Sequence, residues 1–164
     1  MTYTALARYR RLPAQEPTLR LIAFRLRHNW FCLPLAMARR VIPAADPTAP
    51  GLGLTQLHQE NVPIMDVADR IYQSAPLLPG PDGAAPAQPH QPLRSILVVD
   101  SPRFGLLGLQ IDDIPSLKRA RQSAFSPVPT TYLVMNRLQG ISTLVTLGEP
   151  EPPLFLLDID ALSL

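Results

Sequence analysis

The chain has little of the material from which metal sites and thiol chemistry are built. Its 164 residues include one cysteine and three histidines. The single thiol, Cys32, forms no internal disulfide, which is typical of a reducing compartment, and its apolar neighbours favour a buried, inert side chain. None of His28, His58 and His90 has a second histidine or cysteine at metal-ligand spacing. We therefore expect no metal, no cofactor, and a surface position for each histidine.

Long apolar runs are also missing. The opening Met-Thr-Tyr-Thr-Ala-Leu-Ala-Arg stretch has no signal-peptide core. Every later apolar run is broken by charge or proline well short of the ~20 residues that span a membrane. We therefore predict a cytoplasmic protein without direct membrane insertion. The net charge of +2 is too small to indicate a nucleic-acid partner by itself.

Catalytic constellations are absent as well. Asp112 and Asp113 are adjacent, so on a strand they point to opposite faces and cannot act as one dyad. Asp158 or Asp160 suits the cap of a short terminal helix. No glycine-rich phosphate loop precedes a predicted helix. The sequence thus predicts a protein that is not an enzyme.

What the chain does contain is the pattern of a β protein. Hydrophobic residues make up 46% of it, and twenty prolines against eight glycines exclude long helices. Between residues 19 and 26, Ile22, Phe24 and Leu26 alternate with other residues at strand period. Further extended runs are predicted at residues 30–35, 37–42, 54–57, 62–65, 95–99, 104–111, 114–117, 140–147 and 154–157. Many short strands separated by turns favour an all-β barrel or sandwich.

Two segments do not follow this pattern. Residues 1–18 read as a poorly ordered tail, with an arginine-bearing arm for an acidic partner or membrane surface as the alternative. Residues 75–92 contain six prolines and two glycines, which no strand or helix tolerates. We predict an exposed proline-rich loop inside one domain of residues 19–164, since the flanking segments are too poor in apolar residues for two independent cores.

A basic segment, Lys118-Arg119-Ala-Arg121, opens a polar stretch that we interpret as a solvated loop over residues 119–131. The alternative is a small β-barrel nucleic-acid-binding module, which combines a basic groove with exposed aromatic side chains. Aromatic residues make up only 6% of the chain. Phe24, Phe31 and Phe104 fall at predicted core positions, so the solvated loop is favoured.

The most informative stretch runs from Gly53 to Asp66, where a polar turn joins two short apolar strands. Its second strand, Val62-Pro-Ile-Met-Asp66, resembles the Val-Pro-Ile-x-Asp pattern of CheW-type signalling adaptors. Residues 24–33, 105–114 and 154–162 resemble the opening hairpin, a later Val-Gly-Leu-x-Val-Asp strand, and the closing strand and helix of that family. Each motif alone is weak, but their order and spacing together are fairly specific.

This resemblance implies two five-stranded SH3-like β-barrel subdomains with a short terminal helix. It also implies a non-enzymatic scaffold that couples a methyl-accepting chemoreceptor to a CheA-type histidine kinase, in chemosensory or pilus-motility signal transduction. Docking then occurs on strand edges and clefts of the barrels, which need no active-site chemistry.

The resemblance is incomplete at two places. Arg40 lies where the family commonly has glutamate, and Gln56-Leu-His-Gln59 aligns with its Asn-Leu-Arg-Gly. An acidic–basic pair is therefore replaced at both of its positions. Losing both members is less harmful than losing one, because no unpaired charge need be left, but the surface chemistry is changed. We predict a partner-binding surface made of Arg40, Gln56, Leu57, His58 and Asn61, because a turn leaves such side chains free. The alternative is an ordinary solvated hairpin.

Overall fold

The computed structural model describes residues 14–42, 54–57, 60–72 and 94–162. Within them the strands are β1 Thr18–Leu26, β2 Asn29–Pro34, β3 Ala38–Ile42, β4 Leu54–Leu57, β5 Glu60–Met65, β6 Ser95–Ser101, β7 Gly105–Ile111, β8 Ser116–Arg121, β9 Phe125–Pro127, β10 Ile141–Val145 and β11 Leu154–Leu157. The α-helices are α1 Val67–Ile71 and α2 Thr130–Met135. The predicted all-β fold class is confirmed. The predicted loop at 75–92 and most of the predicted tail lie outside the described residues.

A six-stranded sheet has the order β8-β1-β2-β11-β10-β9. The predicted opening hairpin is confirmed as β1–β2, which turns at Arg27 and His28 with Leu26 opposite Asn29. Arg27 adopts a left-handed φ of 56° at this tight turn. β11 lies parallel to β2, with Phe155 opposite Phe31.

This sheet has to curl, because its two edge strands are neighbours in sequence. A flat sheet of six strands would hold β8 and β9 roughly 24 Å apart at about 4.8 Å per strand. Only the 3₁₀ turn Gln122–Ala124 joins them, and four Cα–Cα steps reach at most ~15 Å. The edges therefore meet at this turn, as in a barrel.

The second sheet has five strands in the order β3-β6-β7-β5-β4. Its centre is the predicted hairpin of β6 and β7, whose register runs from Ser95 opposite Ile111 to Ser101 opposite Gly105. β5 lies parallel to β7 and antiparallel to β4. The division into two β subdomains is confirmed, but the first sheet has six strands where five were expected.

Two predictions about the segment that runs from the second subdomain back to the first are wrong. Residues 114–117 do not extend the β6–β7 hairpin, because β8 crosses to the first sheet and pairs with β1. The stretch 119–131 is not a loop, since it holds the end of β8, all of β9 and the start of α2. On β8 only Ala120 is buried, while Leu117 and both arginines are exposed. A strand with one small interior residue has almost no apolar signature.

The largest core lies between the two sheets. Strand β1 is buried on both faces, with Leu21 and Ala23 inside the first subdomain and Phe24 against the second. Phe31 centres an aromatic group, with ring centroids 6.3 Å from Phe24 and 5.7 Å from Phe155. The same cluster takes in Leu97, Val99, Leu107, Leu109 and Ile111 of the second sheet. The two subdomains therefore share one core.

The chain's last described turn fastens the subdomains at a second point. Asp158 caps the 3₁₀ turn Ile159–Ala161 by accepting the backbone N–H of Asp160 at 3.1 Å, which confirms one of the two predicted caps. The Asp160 carboxylate instead accepts hydrogen bonds from the buried Ser101 hydroxyl and from the Arg103 backbone N–H. The terminal turn of the first subdomain is thus held by the β6–β7 hairpin of the second.

Two glycines with nearly equal φ offer a test of this packing. Gly140 has φ +69°, and a Cβ there would lie 2.5 Å from Leu162 Cδ2; Gly105 has φ +70° with nothing within 4 Å. Gly105→Ala should lower the free energy of unfolding by about 1–2 kcal/mol, which is the cost of holding an alanine in the left-handed backbone conformation. Gly140→Ala should cost about 1–3 kcal/mol more, because Leu162 must leave its buried site. Chemical denaturation of both variants measures the difference, and equal losses would contradict this packing.

Candidate docking groove

A groove of about 660 Å³ opens beside β5 and α1 in the second subdomain. The lining residues are Pro63, Ile64, Met65, Asp66, Asp69, Arg70, Phe104 and Leu107. Apolar and charged side chains therefore share the lining. A mixed lining of this kind is compatible with a protein-docking surface.

Asp66 shapes this groove by beginning α1. Its side chain accepts the backbone N–H of Asp69 at 3.3 Å, as an N-cap residue does. The same carboxylate accepts a hydrogen bond from Arg94 Nη1 at 2.8 Å. Arg94 Nε also lies 3.7 Å from Asp112 at the end of β7. One arginine therefore joins the helix cap to the neighbouring strand.

The hairpin turn of the first subdomain reaches the same rim. Arg27 Nη2 lies 2.7 Å from Asp69, and the guanidinium stacks over the Tyr72 ring at 4.9 Å. The Tyr72 hydroxyl donates to Leu26 O and accepts from Asn29 Nδ2, both at 3.0 Å. Burial raises the pKa of Tyr72, against smaller lowering effects of Asn29 and Arg27. The hydroxyl therefore stays protonated and remains a donor to the hairpin.

The structure locates only part of the predicted partner-binding surface. Asn61 is exposed on β5 and lies opposite Gln56 of β4. Leu57 lies opposite Glu60, but the side chains of Gln56 and Leu57 are not described, and His58 lies outside the described residues. The hairpin backbone is thus confirmed, while the role of its side chains stays a prediction.

Arg40 is exposed on β3, at a bulge in the pairing with β6. The hydrogen-bonded order separates β3 from β4 by three strands, so strand pairing does not bring Arg40 beside the β4–β5 turn. Its neighbour Arg39 pairs with Asp100 at 3.0 Å. In the part of the chain that the structure describes, no salt bridge includes Arg40. Its charge therefore remains available to a partner.

The groove itself was not predicted from the sequence. The sequence marks only the start of α1, since the acidic Asp69 lies three positions after the cap residue Asp66. Phe104 and Leu107 come from the β6–β7 hairpin, nearly forty residues away along the chain, and only the parallel pairing of β5 with β7 brings them to α1. That pairing has no local sequence signal.

The other side chains that could act chemically are either buried or already hydrogen-bonded within the fold. Cys32 is fully buried, and burial raises the pKa of its thiol to about 12. Asp112 accepts the Arg27 backbone N–H, whereas Asp113 accepts the N–H of Ile114. Both lie in the bend after β7 and not on a strand as expected. Across residues 14–42, 54–57, 60–72 and 94–162, no group of three or more potential ligands is arranged for a metal ion. No described helix is long and apolar enough to cross a membrane.

The comparisons identify the family. A family model described as the CheW-like domain matches residues 20–163. The chain belongs to the CheW-like domain family. This is a family of chemotaxis adaptors and scaffolds in signal transduction, and the predicted resemblance is confirmed. A search of curated proteins found no match.

A solved structure shows the same fold. The crystal structure of the scaffolding protein TtCheW from Thermoanaerobacter tengcongensis matches with a TM-score of 0.57. The match covers 89% of this chain and 88% of that chain at 13% sequence identity. At this identity the likeness concerns the fold, and the surface residues of this CheW-like protein have to be considered individually.

Arg94 provides a test of the polar rim. Arg94→Met should destabilise the protein by about 2 kcal/mol, because the largely buried Asp112 loses its cation and Asp66 loses a charged hydrogen bond. Arg39→Met is the matched control, since it removes a pair whose two side chains are each nearly half exposed and should cost under about 1 kcal/mol. Urea unfolding measures the loss of stability in each variant. Equal losses would show that the Arg94 contacts stabilise the protein no more than an exposed salt bridge does.

Cys32 provides a test of the first subdomain's interior. A fully buried thiol with a pKa of about 12 stays protonated at neutral and mildly alkaline pH, so the native protein should react with a thiol-disulfide reagent only through global unfolding. We expect negligible labelling under native conditions and one equivalent in denaturant. Fast labelling of the folded protein would contradict the described packing.

Proposed function

We propose that this CheW-like protein is a non-enzymatic adaptor of the cytoplasm that couples a methyl-accepting chemoreceptor to a CheA-type histidine kinase, in chemosensory or pilus-motility signalling. The observation that carries the proposal is the CheW-like domain match over nearly the whole chain. The described residues add features suited to docking, namely a groove with a mixed apolar and charged lining and edge strands.

Strand β5 is the element on which the proposed docking surface is built. Its exposed Asn61 belongs to the predicted partner-binding set, and its following residues Pro63, Ile64 and Met65 line the groove. Because every second side chain of a strand lies on the same face, Asn61 and Pro63 face the same side. A single partner segment running along β5 would therefore contact both residues. Val62 between them is fully buried against Val98 and fixes the strand.

Arg40, on the opposite edge strand of the same sheet, adds a charge that differs from the family's usual glutamate. It is exposed on an edge strand, and the neighbouring Arg39 already has Asp100 as its partner. A partner that fits Arg40 therefore carries an acidic patch where the usual partner of the family carries a basic one. Complementary charge of this kind acts mainly on the rate of association and on specificity.

Arg40→Glu should weaken the complex with the cognate kinase or receptor about tenfold, mainly through slower association and a changed salt dependence. The fold should be unaffected, since Arg40 is exposed. The measurement is binding kinetics and calorimetry against the CheA-type histidine kinases and methyl-accepting receptors encoded in the same genome. His58→Glu tests the β4–β5 turn in the same assay.

The matched control is Arg25→Glu, the same charge reversal at an exposed position of β1 in the other subdomain. It should leave binding to these partners unchanged. Wild-type affinity of both Arg40→Glu and His58→Glu for a partner that binds would move the docking surface elsewhere. Failure of the unmodified protein to bind any such kinase or receptor would refute the adaptor role itself.

A further inference from the structure

Three arginines form an exposed basic face on strands β1 and β8. Arg20 and Arg119 lie directly opposite each other in the antiparallel register, and Arg121 lies opposite Thr18. All three arginines are exposed. Like charges placed opposite each other across two strands destabilise a sheet. Among the described residues, no salt bridge relieves them.

The neighbouring cation on β8 differs, because it has a partner within the fold. Lys118 Nζ contacts both carboxylate oxygens of Glu151, at 3.0 and 2.8 Å. Arg119 and Arg121 project from the opposite side of the same strand, because side chains alternate. The fold thus pairs one basic residue of β8 and leaves the next two facing outward.

A second groove of about 530 Å³ adjoins this face, where the edges of β8 and β9 meet. Arg119, Arg121, Ser123 and Ser126 contribute to its lining. Among the described strands β8 pairs with β1 alone and β9 with β10 alone. The turn between them is hydrogen-bonded by Glu16, Pro17 and Thr146, whereas no described strand pairs with the other edge of β8 or of β9. An added extended segment can pair with a strand edge of this kind.

This chain already binds one carboxylate at the end of the groove. Glu16 accepts the backbone N–H of Ser123, and Pro17 O accepts the backbone N–H of Gln122 at 3.1 Å. The hydrogen bonds to Ser123 and, to a smaller extent, the charge of Arg121 lower the pKa of Glu16. The chemistry that recognises an acidic side chain is thus in use here.

We propose that the Arg20–Arg119–Arg121 face and the adjoining groove dock an acidic, extended protein segment. Guanidinium groups bind carboxylates through paired hydrogen bonds, and Leu117, exposed on the same side of β8, supplies apolar contact. A single-stranded nucleic acid would need stacking platforms. Of the described large exposed hydrophobic residues the aromatic one is Tyr132, on α2 rather than on this face. This surface lies on the other subdomain from Arg40 and does not depend on the proposed adaptor partners.

The test uses the full chain and a fluorescent peptide of alternating glutamate and threonine, with a glutamine–threonine peptide as the uncharged control. The variant is Arg20→Gln with Arg119→Gln, which keeps long polar side chains. It should bind the acidic peptide about tenfold more weakly by fluorescence anisotropy at low salt. Its Tm should be unchanged or higher, because the like-charge pair is removed. Arg25→Gln, on the same strand, should alter neither binding nor Tm.

Amide chemical shifts of the labelled protein locate the site. Peptide-induced shifts concentrated at β8 and the start of β1, and absent in the double variant, would support the proposal. It would be overturned by a fall in Tm of the double variant, which would give the arginines a structural role. Unchanged peptide affinity of that variant, shifts elsewhere, or no binding of the acidic peptide would also overturn it. Binding of an oligothymidine in preference to the peptide would assign the face to nucleic acid instead.

Discussion

Packing of the two sheets against each other around Phe31 is the interaction on which the rest of the structure depends. Among the described residues the buried positions inside each sheet are few, and the second subdomain's own cluster has Val62 and Val98 as its fully buried apolar residues. Far more apolar surface is buried between the sheets. Since small domains bury too little surface to fold alone, neither subdomain has an independent core. Separating the sheets would therefore unfold both.

The polar contacts at the rim of this core fix the angle between the subdomains. Arg27 of the first subdomain reaches Asp69 of the second, and Ser101 of the second reaches Asp160 of the first. Apolar packing is tolerant of direction, whereas these contacts require specific atoms to meet. A surface on β5 and a surface on β8 are consequently held at one relative orientation. Fixed geometry between the two proposed docking surfaces would suit a scaffold, because effective concentration depends on it.

The sequence was sufficient for strands whose alternation is clear. β1, β2 and β11 lie where period-2 patterning and turn residues placed them, and Leu154–Leu157 agrees at both ends. β8 was missed because a strand at the barrel edge buries only Ala120. α2 was missed because Pro129 stands directly before it as the cap and the helix has no fully buried residue. Sheet order and the parallel β5–β7 pairing arise from tertiary packing, which leaves no local pattern.

The candidate surfaces show the same division between local and tertiary information. Charge identity at Arg40 could be taken from the sequence, but its separation from the β4–β5 turn by three strands could not. Opposition of Arg20 and Arg119 requires residues a hundred positions apart to share a register, so the sequence shows two basic residues and the structure shows one basic face.

The net charge of the chain does not reveal this arrangement of arginines. The excess of +2 is small, yet most acidic residues of the described polar contacts already have partners within the fold: Asp66, Asp69, Asp100, Asp112 and Glu151 are in salt bridges. Several exposed arginines, among them Arg20, Arg40 and Arg119, are in none of those salt bridges. The surface that a partner contacts is therefore more basic than the net charge of the whole chain suggests. Screening by salt limits the interaction of exposed charges to about 8–10 Å at physiological salt, so only nearby charges count. Under both proposals the local placement of arginine, and not the total charge, would decide which acidic surfaces this protein binds.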